Sequence, residues 1–278
     1  MLQVGSFEIL PVLDATFKAP PRTTYLGEPA SDEVWEQHRY LLDDDGNIEG
    51  SMGGFLIRGG GGDRVALVDL GLGNNDMLSA RGGAMLDSLR AWGYGPEDVT
   101  DVLFTHLHLD HVGWASVDGK VVFPNATYRC DVADWDHWVR NTPVFKNPQS
   151  NHFMQMQKDL VEPAESQLET WDRDGPVLPG IDILRIPGHT PGSSMIVVSD
   201  AGQRAMMIGD VVHCAVELTQ DEWDGFADVD PVQAKAARNA WAREMEGVDV
   251  PVAAAHFGGL KFGRILPGQQ ARRFEFLS

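Results

Sequence analysis

Four side chains able to bind a metal ion fall within six residues, 106–111, which read HLHLDH. An extended segment places His106, His108 and Asp110 on one face, and a turn after them can bring His111 to a neighbouring ion. Imidazole nitrogen and carboxylate oxygen are suitable ligands for zinc and similar divalent ions. The alternative is an exposed polar turn. Because the chain has only nine histidines, three in this segment beside an aspartate favour a metal site.

The first half of the chain has the pattern of a sheet with attached helices. The apolar runs GGFLIRG and RVALVDLG within 53–70, separated by the glycines at 59–62, predict a β-hairpin. Apolar residues at helical spacing predict a helix from about Asn75 to Trp92. A buried strand at 99–105 then leads directly into the histidine-rich segment.

The second half repeats this pattern after a segment that is mainly helical. We predict a strand at 121–130, helices over 131–168, and then, in order, strands at 181–186, 195–199 and 205–209, a helix at 231–245 and a strand at 251–256. Two similar αβ halves predict sheets packed face to face with helices outside. We expect one domain over 1–278, with an N-terminal arm of about 1–50 and a helical insertion of about 131–170 that covers the site.

Three further polar residues each follow a predicted strand, in the loops where a rigid sheet most often carries function. They are His189 in GHTPGSS, Asp210 in IGD and His256 in AAHF. Taken singly, His189 could stabilise a turn, Asp210 could cap a strand and His256 could be a buried core imidazole. Their order along the chain and their positions after strands favour metal binding for all three.

The motif THLHLDH resembles the HxHxDH motif of the metallo-β-lactamase superfamily, and LVDLG, PGHTPGS, IGD and AAHF resemble the segments that follow in that family. The resemblance covers about 53–258. It implies an α+β fold, the αββα sandwich of two mixed β-sheets flanked by helices. It also implies two divalent ions, most simply Zn²⁺, with Mn, Fe or Co also compatible with the ligands.

The resemblance also implies a ligand set with no member missing. His106, His108 and His189 would hold one ion, Asp110, His111 and His256 the other, and Asp210 would bridge them. Asp69 is not needed to complete either set. It either accepts a hydrogen bond from a ligating imidazole or a nearby backbone group, or serves as a structural turn residue.

A paired metal centre predicts hydrolysis by a bridging hydroxide, with Asp110 or Asp210 accepting or shuttling a proton and no protein nucleophile. The N-terminal arm, the helical insertion and GDVVHCAVEL resemble the branch of acyl-homoserine lactonases and methyl-parathion hydrolase. Lactonases of that branch often carry a tyrosine three residues after the bridging aspartate, where this chain has His213. His213 could donate a hydrogen bond to the substrate, or it could pack at a helix start.

We therefore predict a metal-dependent hydrolase that cleaves a lactone or ester. The alternatives are a phosphotriester hydrolase, a β-lactamase or thioesterase, and a metal-binding protein without turnover. Aromatic residues of the insertion, with Trp114, Trp223 and Phe226, could line an apolar pocket. His38, His137 and His152 lie outside the motifs, and we expect surface or helical positions for them.

The composition of the chain limits the classes of partner that we expect it to bind. The 41 acidic and 22 basic residues give a net charge of -19, which repels nucleic acid and anionic membranes and leaves a small-molecule substrate. No signal peptide is recognisable at the start, so we expect a cytoplasmic protein. Cys130 and Cys214 follow no metal-binding or disulfide pattern and are expected to be buried thiols. A homodimer is a family-like expectation that no sequence feature establishes.

Overall fold

A computed structural model describes residues 1–21, 32–77 and 80–278. In chain order its strands are β1 Leu2–Val4, β2 Phe7–Ala19, β3 Ile48–Gly59, β4 Val65–Val68, β5 Asp76–Met77, β6 Ala80–Arg81, β7 Asp101–Leu103, β8 Ser116–Val117, β9 Lys120–Val121, β10 Thr127–Asp131, β11 Leu168–Trp171, β12 Gly175–Leu178, β13 Ile181–Arg185, β14 Ser194–Asp200, β15 Gln203–Met207, β16 Val252–Ala253, β17 Gly263–Leu266 and β18 Arg273–Phe276.

The α-helices of the described residues are α1 Asp32–Gln37, α2 Met85–Ala91, α3 Leu109–Val112, α4 Val132–Trp135, α5 Pro148–Val161 and α6 Pro231–Met245. A π-helical turn, Asp136–Arg140, continues α4. Short 3₁₀ turns include Arg39–Leu41, Gly209–Val211 and Ala215–Leu218. None of the helices in these ranges is long and apolar enough to cross a lipid bilayer.

The strands form two mixed seven-stranded sheets. The first has the order β1-β2-β3-β4-β7-β10-β11, antiparallel from β1 to β4 and parallel from β4 to β11. The second has the order β12-β13-β14-β15-β16-β17-β18, in which only β15 and β16 run parallel. The segment predicted as an N-terminal arm supplies β1 and β2, so it is part of the first sheet.

The burial pattern makes this a four-layer sandwich, as predicted. Phe55 and Ile57 of β3 point into the core between the sheets, where they meet Ile196 and Met207 of the second sheet. Leu56, between them in sequence, lies in a separate core against the outer helices, because side chains alternate across a strand. On the far side, α6 covers the outer face of the second sheet. Both sheets are therefore buried on two faces.

Two sequence predictions were wrong in extent. The helix expected over 75–92 forms only at Met85–Ala91, and Asp76–Met77 pairs with Ala80–Arg81 as a hairpin, residues 78 and 79 lying outside the described part. Gly82 and Gly83 end the hairpin, and the amides of Gly83 and Met85 donate to Asp14, which fixes a later helix start.

The strand expected over 121–130 is interrupted as well. Pairing stops after Val121 and resumes at Thr127, because residues 122–126 turn around Pro124 and Asn125. Other expectations are confirmed. The helix at 231–245 has the predicted bounds, and the acidic run at 43–45 is a turn in which Asp43 accepts the amides of Asp45 and Asn47.

Candidate metal centre

The sheet ends bring all seven predicted ligands to one place. His106 and His108 lie in the loop after β7, and Asp110 and His111 lie on the single turn of α3. The other three come from the second sheet: His189 from the loop between β13 and β14, Asp210 from the 3₁₀ turn after β15, and His256 from the segment after β16. The site therefore bridges the two halves of the sandwich.

The ligand-type atoms form two groups joined by one carboxylate. His106, His108 and His189 present their donor atoms within 4.8 Å of one another, and so do Asp110, His111 and His256. Asp210 lies between the groups. Its Oδ2 is 3.5 Å from His189 Nε2 and 3.1 Å from His256 Nε2, and its Oδ1 is 3.4 Å from His111 Nε2.

Unsatisfied buried atoms indicate that this arrangement fits metal ions. His106 Nε2, His111 Nε2 and Asp210 Oδ1 are buried and have no hydrogen-bond partner among the described residues. A buried polar atom without a partner lowers the stability of the fold by about 1–3 kcal/mol, so three such atoms facing one centre indicate that a ligand binds there. Imidazole nitrogens and carboxylate oxygens are what divalent transition-metal ions bind.

The opposite nitrogen of several imidazoles is held by the protein. His111 Nδ1 lies 2.9 Å from Asp69 Oδ2, His189 Nδ1 lies 2.9 Å from Asp228 Oδ1, and His256 Nδ1 lies 3.1 Å from the carbonyl oxygen of Ser51. An Nδ1–H donated to these oxygens leaves each Nε2 lone pair free for a metal ion and fixes the ring orientation.

Asp69 combines the two roles that the sequence left open. Besides its contact with His111, it accepts the Thr105 amide at 2.8 Å and the Thr105 hydroxyl at 2.7 Å. Its φ of 59° places it in the left-handed region, where a turn aspartate is tolerated. Asp69 therefore orients one imidazole and also anchors the residue that precedes His106.

Burial and neighbouring charges shift the pKa values of the histidines in opposite directions. Burial, reinforced by neighbouring imidazoles, holds the pKa values of His106 and His108 well below the ordinary range, which keeps both rings in the neutral form that binds metal. Burial alone would also lower the pKa of His111, but the Asp210 and Asp69 carboxylates raise it well above that range. Protons therefore compete with metal ions for the His111 side of the centre.

His213 extends the constellation beyond the seven ligands. Its Nε2 lies 3.3 Å from Asp210 Oδ2, and its ring stacks on that of His256 at 5.7 Å with an interplanar angle of 7°. The backbone amides of His213 and Cys214 donate to Glu217 Oε1, and Glu217 Oε2 pairs with the buried Arg238. His213 is thus held firmly at the edge of the centre.

A cavity of about 130 Å³ opens beside the metal-binding residues. His213 and His256 line it, together with residues from 40–43 and 48–49, the segment 257–258, Lys261 and Phe276. Two of the aromatic residues expected to line a pocket, Trp114 and Trp223, are instead core residues, 6% and 1% exposed. Bulky indoles are buried where they fill the core, and Trp114 also donates to Asp14.

Two other members of the predicted set, Phe226 and Trp138 of the insertion, do lie near the site. Phe226 is 42% exposed, with its ring 6.1 Å from that of His213, and the ring of Trp138 lies 5.2 Å from that of His108. The expectation for His38 was wrong in part, because this residue is buried, with Trp35 and Trp223 around it. His152 is exposed on α5 and His137 lies in the π-helical turn, as expected.

Sequence reasoning did not identify Asp228 or the Ser51 carbonyl. Asp228 lies in an acidic stretch without a motif, 39 residues from His189, and a backbone carbonyl leaves no signal in a sequence. The buried thiols of Cys130 and Cys214, in contrast, are as expected. Ser193 uses its hydroxyl to accept the Thr190 amide, a structural contact within the His189 loop.

The fold and this ligand arrangement define the metallo-β-lactamase class. The family model for the metallo-beta-lactamase superfamily matches residues 54–256, and the chain belongs to that superfamily. Among sequence relatives are N-acyl homoserine lactonases of Bacillus sp, 26% identical over 114 residues, and of Bacillus thuringiensis, 23% identical over 147 residues. These alignments span 41% and 53% of this chain but only 38% and 51% of the relatives.

Similar solved structures cover the whole chain. One is AidC, a dizinc quorum-quenching lactonase in complex with a product, with a TM-score of 0.85, 21% identity, and coverage of 100% of this chain and 96% of that one. Another is AbOPH, a hydrolase in the beta-lactamase superfamily, with a TM-score of 0.85, 27% identity and the same coverage. The fold is therefore shared over the full length.

Proposed function

We propose that this chain is a dizinc hydrolase that opens a lactone or cleaves an ester, with acyl-homoserine lactones as the first substrate class to test. The observation that carries the proposal is the meeting of seven metal-binding side chains around unsatisfied buried atoms, beside a cavity that a small molecule can enter. The lactonases among the sequence relatives and the dizinc lactonase among similar folds support it.

In this proposal His106, His108 and His189 would hold one zinc ion, Asp110, His111 and His256 would hold the other, and Asp210 would be a ligand available to both. Bound there, the ions would polarise the substrate carbonyl and lower the pKa of a water molecule, which is the nucleophile. The Asp110 and Asp210 carboxylates face the same space and can accept the proton released from that water. No serine or cysteine nucleophile is needed.

His213 is the proposed substrate donor. It lines the cavity, its ring lies against His256, and its side chain is 12% exposed, so an entering carbonyl can reach it. Removal of the ring should raise KM or lower kcat without removing metal. His213→Tyr, which restores a donor, should recover activity that His213→Phe loses.

The test is a hydrolysis panel with the zinc-loaded protein. It contains short- and long-chain acyl-homoserine lactones, an aryl ester, a thioester, a cephalosporin and an aryl phosphotriester, with His108→Ala as the control for metal-dependent turnover. We expect the highest kcat/KM on a lactone or ester and near-complete loss in His108→Ala. A protein with two zinc ions that accelerates none of these reactions would contradict the proposal and leave a metal-binding protein.

Phosphotriester hydrolysis is the second candidate. It is favoured by His213, which stands where lactonases of the branch often carry tyrosine. A kcat/KM for the aryl phosphotriester above that for every lactone and ester would make this the main activity.

A further inference from the structure

Asp134 is a buried carboxylate that the mechanism above does not use. It lies on α4, its side chain is fully buried, and no lysine or arginine in the described ranges forms an ion pair with it. Burial raises the pKa of this carboxyl to about 6. A buried acidic group without a cation is costly unless its oxygens are well hydrogen-bonded.

Its three hydrogen-bond donors come from two metal-binding loops. The amide of Leu107, between His106 and His108, donates to Oδ2 at 2.9 Å. The hydroxyl of Thr190, directly after His189, donates to the same oxygen at 3.0 Å, and the amide of Gly192 donates to Oδ1 at 2.7 Å. One carboxylate therefore joins loops that are about 80 residues apart in the sequence.

The imidazole nitrogens on the other side of these loops must lie close together if they are to bind one metal ion. His108 Nδ1 lies 3.0 Å from His189 Nε2, which is close enough for one ion to contact both nitrogens. The Gly192 backbone packs tightly against α4, because a Cβ at this position would lie 2.8 Å from the Asp134 amide nitrogen. Trp138, four residues after Asp134, packs its ring against His108.

We propose that Asp134 is a positioning residue that sets the distance between the His108 and His189 loops and so determines the affinity of one of the two metal positions. It acts through Leu107, Thr190 and Gly192, and within the described part of the chain it forms no hydrogen bond with any of the seven proposed ligand side chains. The other position has its own support in Asp69, which contacts His111 directly. This inference rests on the proposed binuclear centre.

The test compares metal affinities of Asp134→Asn and wild-type protein. Asparagine has the same shape but replaces one acceptor oxygen by an NH₂ group that faces donors. We expect one of the two zinc ions to bind about 10- to 100-fold more weakly and the other to keep its affinity. Competition with a chromophoric chelator and elemental analysis after dialysis measure both, and circular dichroism reports whether the variant is folded.

Asp131→Asn is the matched control. Asp131 is one turn earlier, is equally buried and pairs with Arg185, but its carboxylate accepts no hydrogen bond from Leu107, Thr190 or Gly192. It should lower stability while both zinc affinities remain unchanged. Equal loss of zinc affinity in both variants would mean that the Asp134 effect is general destabilisation, and it would overturn the proposal. The proposal would also be overturned if Asp134→Asn bound both zinc ions with wild-type affinity.

Thr190→Val decides the matter if Asp134→Asn does not fold. It removes the hydroxyl bond to Asp134 together with the contact of the same hydroxyl with Ser193 Oγ, and it should weaken the binding of the same zinc ion by a smaller factor. Unchanged affinity would overturn the proposal. These readouts are independent of turnover. Wild-type protein that binds two zinc ions and hydrolyses nothing would contradict the proposed function while the Asp134 comparison still stands or falls by itself.

Discussion

Arg238→Met removes the positive half of a buried ion pair behind His213. Arg238 is 1% exposed and Glu217 0%. The guanidinium Nη1 lies 3.2 Å from Glu217 Oε2, and another guanidinium nitrogen donates to the Trp223 carbonyl. Methionine fills similar space without charge. It leaves the buried Glu217 carboxylate with the amides of His213 and Cys214 and with the His213 ring 3.8 Å away, but without Arg238.

Removal of one partner of a buried pair costs about 3–5 kcal/mol, because the remaining charge stays desolvated. Urea denaturation followed by tryptophan fluorescence would measure the loss. Arg243→Met on the same helix is the matched control. Its ion pair with Asp221 is half exposed, so its loss should stay below about 1 kcal/mol. Glu217→Gln combined with Arg238→Met removes both charges and should cost less than Arg238→Met alone.

The reasoning would be refuted if Arg238→Met destabilised the protein no more than Arg243→Met. The pair would then contribute nothing beyond packing. A loss of about 3–5 kcal/mol that the double variant does not reduce would also contradict it, because the cost would then come from the lost carbonyl contact and not from the loss of the Arg238 charge beside Glu217.

Three further predictions follow from close contacts and buried groups. Gly54→Ala should lose about 1–3 kcal/mol in denaturation, because its Cβ would meet the Asp69 carbonyl oxygen at 2.2 Å. Burial raises the pKa of Asp134 from 3.8 to about 6, so this carboxyl should contribute a fall in stability of about 3 kcal/mol as pH rises from below 4 to above 6 in metal-free protein, measured as the difference between the pH–stability profiles of wild type and Asp134→Asn. Burial raises the pKa of the Cys130 thiol well above its usual range, so a thiol reagent should modify it only after unfolding.

The sequence was most informative where one short segment carries both structure and chemistry. The HLHLDH segment follows a strand, and its ligand spacing is local, so residues 106–111 by themselves indicated a metal site, whereas the resemblance was needed to add His189, Asp210 and His256. The sandwich followed from alternating strand and helix patterns, because burial on both faces of each sheet leaves continuous apolar runs.

Contacts between distant segments could not be anticipated. The carboxylates of Asp134 and Asp228 and the carbonyl of Ser51 act on loops that are remote in sequence, and their own neighbourhoods carry no motif. The residues that line the cavity could not be predicted for a similar reason. Its walls combine residues 40–43 and 48–49 with the distant segments 213–215 and 256–258, Lys261 and Phe276, while Trp114 and Trp223, expected there, fill the core. Local sequence fixes which residues are apolar but not which core they enter.

The central claim is that seven named side chains bind two metal ions. The most direct measurement is anomalous diffraction at the zinc edge from crystals of the zinc-loaded protein. The account predicts two peaks, one about 2.0–2.2 Å from nitrogens of His106, His108 and His189, the other equally close to Asp110, His111 and His256, with Asp210 in contact with both. A single peak, no peak, or ions held by other residues would contradict it.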